Sequence, residues 1–173
     1  MKVAGGVWPF DTLPPGAGNA KRRCIPRTLT AGRTGFGNQV RLRDARSTVI
    51  SRGGRLNTLK RFAARFCVTG GGELVASLDN RRKARFIAST ARGHRARGVG
   101  RGASFARLRK AFPRSKRLSR GIYVARRGGS IRSGVTVFGV RGRRVTFVGL
   151  GDASVRRNNR LLRLHLKRTG FHR

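Results

Sequence analysis

Acidic residues are almost missing from this chain. Of 173 residues only 5 are Asp or Glu, against 42 Lys or Arg, for a net charge of +37. Carboxylates this sparse argue against a general acid–base enzyme. Cysteine is equally scarce: Cys24 and Cys67 stand 43 positions apart with no C-x-x-C pair. That count excludes a disulfide scaffold, and the two thiols are expected to stay unpaired. Three histidines, His94, His165 and His172, share no zinc-site spacing with either cysteine. No G-x-S-x-G, H-E-x-x-H or G-x-x-x-x-G-K-[ST] occurs. No metal, cofactor, small-molecule substrate or catalytic residue is therefore expected. No apolar run approaches 18 residues, which excludes a helical membrane span.

What is present is arginine and a modest apolar fraction. Leu, Ile, Val and Phe make up about a quarter of the chain, just above the level at which high charge forbids folding. Arg outnumbers Lys 35 to 7. Its planar fork pairs bidentately with phosphate and stacks on bases. G+C-rich coding would favour Arg, Gly and Ala together, but it does not remove the acids. Self-repulsion at +37 opposes a compact state unless a polyanion is at hand.

Composition divides the chain into an arm and a body. Residues 1–20 form an apolar strap with Trp8, Phe10 and Leu13, in which Pro9, Pro14 and Pro15 exclude helix. The strap is either a disordered tail or a segment laid into a neighbour's groove. Its single Lys2 and retained Met1 argue against a cleaved presequence. Residues 21–55 read as an extended basic arm with at most a short strand near Ser47–Ile50. A body over 56–169 and a tail over 170–173 follow. Leu59, Phe62, Ala63 and Phe66 recur at helical spacing, predicting a helix over 58–67 that Gly70-Gly71-Gly72 stops. A second helix is expected from Glu73 or Asp79. Residues 92–102, RGHRARGVGRG, read as a Gly/Arg loop. Its Gly98-Val99-Gly100-Arg101-Gly102 follows no evident strand and lacks the acid of a dinucleotide fingerprint.

Ser104 to Phe112 predicts a short helix with Phe105, Leu108 and Phe112 on one side, ended by Pro113. From 121 to 150 the period changes to two, with Gly at the reversals, predicting a three-stranded antiparallel meander. Gly139 within it marks a bulge or a close backbone approach. Asp152 or Ser154 caps a last helix, Leu161, Leu162, Leu164 and Leu166 form its stripe, and Gly170 closes it. The fold class is α+β: a small antiparallel β-meander with two to four short helices and long basic extended arms. Contact between the helix at 58–67 and this sheet is expected to form the core. The last helix is expected to sit between a protein surface and RNA, so that removing 154–173 would leave the hairpins folded.

Between Asp79 and Asp152 lie 72 residues without an acid, holding 18 Arg and 3 Lys. Solvated faces of stable domains mix charge signs, so this uniformity points to nucleic acid. No single recognition element stands out, and Arg33-Thr34-Gly35-Phe36-Gly37 is only a partial echo of an RNP motif. The clusters KRRC, RRKAR, RGHRARGVGRG and RRNNRLLRLHLKR around a small α+β body resemble ribosomal proteins as a class. The resemblance implies a non-enzymatic structural constituent that binds folded rRNA by phosphate neutralisation. It further implies a mitochondrial matrix ribosome, or alternatively the cytoplasm of a bacterium. Neighbouring ribosomal proteins would contact Trp8, Phe10 and the C-terminal helix. The alternatives are a DNA-condensing protein of a virion or nucleoid, and an accessory subunit of another ribonucleoprotein.

The residues expected on RNA begin with Lys21, Arg22, Arg23, Arg27, Arg33, Arg41 and Arg43 in the arm. Arg81, Arg82, Lys83, Arg85, Arg92, His94, Arg95, Arg97 and Arg101 follow. Arg107, Arg114, Lys116, Arg117 and Arg120 lie before the meander, and Arg141, Arg143 and Arg144 in its last turn. Arg156, Arg157, Arg160 and Phe171 complete the set. Phe36, His94, Phe105 and Phe171 are the candidates for stacking on bases, although Phe105 also suits the apolar side of its own helix.

Overall fold

A computed structural model describes residues 22–126 and 134–171. The expectations for the strap, with Trp8 and Phe10, and for Lys21 lie outside the described residues. In chain order, β1 (Leu29–Thr30), β2 (Gly35–Phe36), β3 (Val40–Arg41) and α1 (Arg46–Arg52) precede a first run of strands. That run is β4 (Leu56–Lys60), β5 (Ala63–Cys67), β6 (Glu73–Leu78) and β7 (Ala84–Ser89). The short strands β8 (His94–Ala96) and β9 (Val99–Gly100) and the helix α2 (Phe105–Ala111) come next. A second run follows: β10 (Lys116–Ser119), β11 (Ile122–Arg126), β12 (Val135–Arg141) and β13 (Arg144–Gly151). Helices α3 (Ala153–Arg157) and α4 (Asn159–Thr169) close the chain. No helix among the described residues is long and apolar enough to cross a membrane.

The architecture is α+β. Two four-stranded antiparallel meanders join edge to edge through β7 and β13, giving one eight-stranded sheet in the order β10-β11-β12-β13-β7-β6-β5-β4. The predicted meander corresponds to β11–β13. Its Gly139 adjoins the register shift in the β12–β13 pair. A Cβ there would lie 2.2 Å from the Phe147 ring, so only glycine lets that ring cross the strand.

The first meander replaces two expected helices. Residues 58–67 form the β4–β5 hairpin, and 73–89 form β6 and β7. Both sheet faces are covered, so β6 is buried at five of its six positions and lacks the alternation of a half-exposed strand. One face carries Phe66, Leu74, Leu78, Ile87, Phe138, Val148 and Leu150. Residues 25–50, β8–β9 and α2 cover it, through Ile25, Phe36, Val40, Val49, Val99 and Leu108. The segment expected as a free arm thus contributes buried core side chains from residue 25 onward. The expected strand near Ser47–Ile50 is instead the helix α1, which buries Val49 and Ile50.

The opposite face holds Phe86, Val135, Val137 and Phe147, and α3 and α4 cover it with Val155, Leu162 and Leu166. Asp152 caps α3 by accepting from the Ser154 and Val155 N–H groups, and Gly170 ends α4 at φ 69°. Asn158 splits the expected single helix, serving as C-cap of α3 and N-cap of α4. The leucine stripe therefore closes the protein's own sheet, leaving Leu164 as its exposed member at 42%.

Cys24 and Cys67 are joined in a disulfide, which corrects the expectation of free thiols. Their approach is non-local. Ile25 lies parallel to Val68 in an isolated bridge, its N–H donating to the Cys67 carbonyl at 2.9 Å and its carbonyl accepting from Thr69 N–H at 2.9 Å. This bridge lays Cys24 beside β5.

Candidate nucleic-acid interface

The few carboxylates are consumed internally. Arg85 lies between two of them, donating from Nε to Asp79 at 2.7 Å and from Nη1 to Asp152 at 2.8 Å. Asp152 is 3% exposed. Burial pushes its carboxyl up, but hydrogen bonds from Ser154, Arg85 and the Val155 N–H outweigh this and hold it below the usual carboxylate range. The Arg43 Nε stands 3.7 Å from the same carboxylate. Arg65 pairs with Glu73 at 2.8 Å, and Asp44 accepts from the Arg41 N–H at 3.3 Å. Every described carboxylate is thus bound to a partner within the chain.

Several expected RNA contacts are used up in the same way. Arg85 belongs to this ion-pair hub. Arg22 donates to the Ile50 carbonyl. His94 is wholly buried, with Nε2 donating to the Pro26 carbonyl at 3.0 Å and Nδ1 meeting the Ser89 hydroxyl at 2.7 Å. Burial holds its pKa below the ordinary histidine value. Phe36 is fully buried 5.5 Å from the His94 ring, which removes both residues from the stacking candidates. Phe171 is half-buried, its ring 5.7 Å from Phe147, with the Arg65 guanidinium 5.8 Å from its centroid. Phe105 faces its own core, 4.8 Å from Tyr123. The aromatic rings expected on bases therefore pack within the fold.

A mirror image of the His94 arrangement lies on the other sheet face. Ser77 on β6 meets His165 Nδ1 on α4 at 2.8 Å, while His165 Nε2 is buried without a hydrogen-bond partner among the described residues. Sequence reasoning offered no sign of either Ser–His pair: Ser77 and His165 lie 88 residues apart, and Ser89 and His94, five apart, meet across the turn from β7 to β8.

Arg23, Arg27, Arg33, Arg81, Lys83, Arg114, Lys116, Arg117, Arg120, Arg157 and Arg160 are exposed, as are Arg141 and Arg143 at the β12–β13 turn. Arg41, Arg82 and Arg156 are half-buried. Arg97 sits beside Gly98 in the β8–β9 turn and Arg143 beside Gly142 in the β12–β13 turn, all four at positive φ. Such mirror-image turns favour Asn and Gly, and an arginine there costs about 1 kcal/mol. Arg97 then lies over Phe112, 5.6 Å from its centroid.

Five exposed arginines converge. Arg92, Arg95, Arg101, Arg107 and Arg144 line one cleft of about 560 Å³, with Gly98, Gly100, Gly102 and Ala103 between them. Its walls come from β8–β9, the start of α2 and the start of β13. The Ser104 hydroxyl caps α2 by accepting from the Arg107 N–H at 3.2 Å. Two guanidiniums are anchored on backbone: Arg101 Nη1 donates to the Thr90 carbonyl and Arg144 Nη1 to the Gly102 carbonyl, each at 3.1 Å. The glycine segment set aside as a nucleotide fingerprint thus lines an arginine cleft on a β-turn. No family model, no curated protein and no solved structure matches the chain.

Proposed function

We propose that this protein is a non-enzymatic RNA-binding component of a ribonucleoprotein, with the ribosome as the particle its composition favours. One observation carries the reading. The described carboxylates are all engaged by the protein itself, and the net charge of +37 that remains has no side-chain counterion in the sequence. A compact fold with this surface calls for external phosphate. The aromatic candidates are packed inside, so recognition rests on phosphate neutralisation and surface shape rather than on base stacking.

The Cys24–Cys67 disulfide favours a second setting. Structural disulfides persist in oxidising surroundings, including virions and cell surfaces, and are rare where glutathione keeps thiols reduced. A DNA-condensing protein of a virion suits that bond better than a mitochondrial matrix ribosome does.

Recovery of the polymer bound to the native protein tests both. RNase-sensitive material in a sedimenting ribonucleoprotein particle supports the first reading. DNase-sensitive material supports the second. Protein recovered without nucleic acid under gentle, low-salt lysis contradicts both.

A further inference from the structure

We infer that the five-arginine cleft is a site for condensed phosphate, a short run of directly linked phosphoryl groups, rather than for a stretch of nucleic-acid backbone. The inference rests on the polyanion reading above for the sign of its ligand and on the cleft for its shape. Arg92, Arg95, Arg101, Arg107 and Arg144 line a space of about 560 Å³, a volume typical of small-ligand pockets, and so place five positive charges around it. The lining residues include no carboxylate and no aromatic ring. The cleft therefore offers charge and hydrogen-bond donors, and no surface on which a base would stack.

Charge density decides between phosphate classes. A terminal phosphate carries about 1.5–2 negative charges at neutral pH, so roughly three linked phosphates balance five guanidiniums. A phosphodiester carries one. Five successive backbone phosphates are four steps apart and would extend about 14 Å along a strand, whereas a sphere of the cleft's volume is about 10 Å across. A single carboxylate or orthophosphate would leave most of the guanidiniums repelling one another.

The cleft is also organised in advance. Arg101 and Arg144 are fixed by the Thr90 and Gly102 carbonyls. Gly98, Gly100 and Gly102 place no side chain over the floor. A Cβ at Gly100 would strike the His94 carbonyl oxygen at 2.4 Å, and Gly102 takes φ 91° with open space where its Cβ would be. The His94 backbone thus lies directly against the floor at Gly100.

The same chemistry has two sources, a 5′-triphosphate end on a nucleotide or nucleic acid, and free inorganic polyphosphate. The experiment is calorimetric titration of the full chain at 150 mM salt (about the physiological level) with sodium tripolyphosphate, pyrophosphate and sulfate. Tripolyphosphate should bind one to one and at least about tenfold more tightly than sulfate. R101Q/R144Q should weaken it about tenfold or more. R92Q/R95Q, which leaves both backbone anchors intact, should do the same should the first variant misfold. An RNA oligonucleotide with a 5′-triphosphate binding more tightly than its 5′-hydroxyl twin assigns the site to chain ends. Equal binding of the twins, with tight tripolyphosphate, assigns it to free polyphosphate. Tripolyphosphate binding no tighter than sulfate, or unchanged in both variants, overturns the inference. Long unphosphorylated RNA, titrated in parallel, separates this result from the RNA reading. RNA binding that survives while tripolyphosphate fails to bind sinks the cleft alone. Tripolyphosphate binding without RNA binding sinks the RNA reading alone.

Discussion

Cys24 and Cys67 are bonded across 43 residues, with their Cα atoms 5.0 Å apart. The bond fastens the layer formed by residues 25–50 to β5, which lies next to the edge strand β4. On the chain-entropy account, closing a loop of this length stabilises the fold by about 4 kcal/mol. A C24S/C67S variant should therefore unfold at lower urea than the oxidised protein, with a loss of about 2–4 kcal/mol. Reductant should produce the same shift in the wild type and none in the variant. Equal midpoints for oxidised and reduced wild type would show that the layer holds without the bond.

His165 makes stability depend on pH. Burial comes first, then the nearby Arg168 charge, and together they push its pKa from 6.5 to about 4. Between those values the unfolded chain binds a proton that the folded chain refuses, so stability rises with pH through this window. It should fall by about 3 kcal/mol as pH drops from 7 to below 4. An S77A/H165L double variant removes both partners of the pair and should flatten that part of the profile. Urea midpoints from pH 4 to 7 provide the check, and an unchanged slope in the variant would remove His165 from the account.

Asp152 links three elements: it caps α3, extends from β13 and holds Arg85 of β7. Truncation to alanine leaves Arg85 with Asp79 alone and α3 without its cap. The expected cost is about 3–5 kcal/mol, measured by urea unfolding. A D152A loss under about 1 kcal/mol, the scale of an ordinary cap, would make the ion pair inconsequential.

Removal of residues 154–173 should now unfold the sheet rather than spare it. Val155, Leu162 and Leu166 lie on Phe86, Val135, Val137 and Phe147, and the truncation removes all three. The truncated chain should bind a hydrophobic dye and lose cooperative melting. A sharp melt with strand-rich circular dichroism would instead show that the hairpins stand alone.

How much of this was legible depended on whether the local signal was sufficient. The strands β11–β13 were readable because alternation and glycine turns are local features, and α2 because Ser104 caps it and Pro113 follows it. The first meander was not. With both faces of β6 and β7 covered, Leu74–Leu78 and Phe86–Ser89 run apolar without alternation, and Leu59, Phe62 and Phe66 imitate a helical stripe. The disulfide and the Ser77–His165 pair join segments that only the tertiary fold brings together. The expected stacking role of His94 rested on its arginine neighbours, but the Pro26 carbonyl and Ser89 hold it inside. The cleft was half visible. Arg92, Arg95 and Arg101 belong to one basic run, while Arg107 and Arg144 join them through α2 and β13.

The most direct measurement of the central claim is the salt dependence of RNA affinity. Kd for two unrelated structured RNAs would be measured between about 50 and 200 mM salt. The unneutralised arginine surface predicts nearly equal affinities for the two and a linear log–log plot. Six to ten phosphate contacts give a slope of roughly 4–9 at 0.7–0.9 per contact. A slope below about 1, or binding to one RNA alone, would contradict the proposal that this protein works by replacing counterions on RNA.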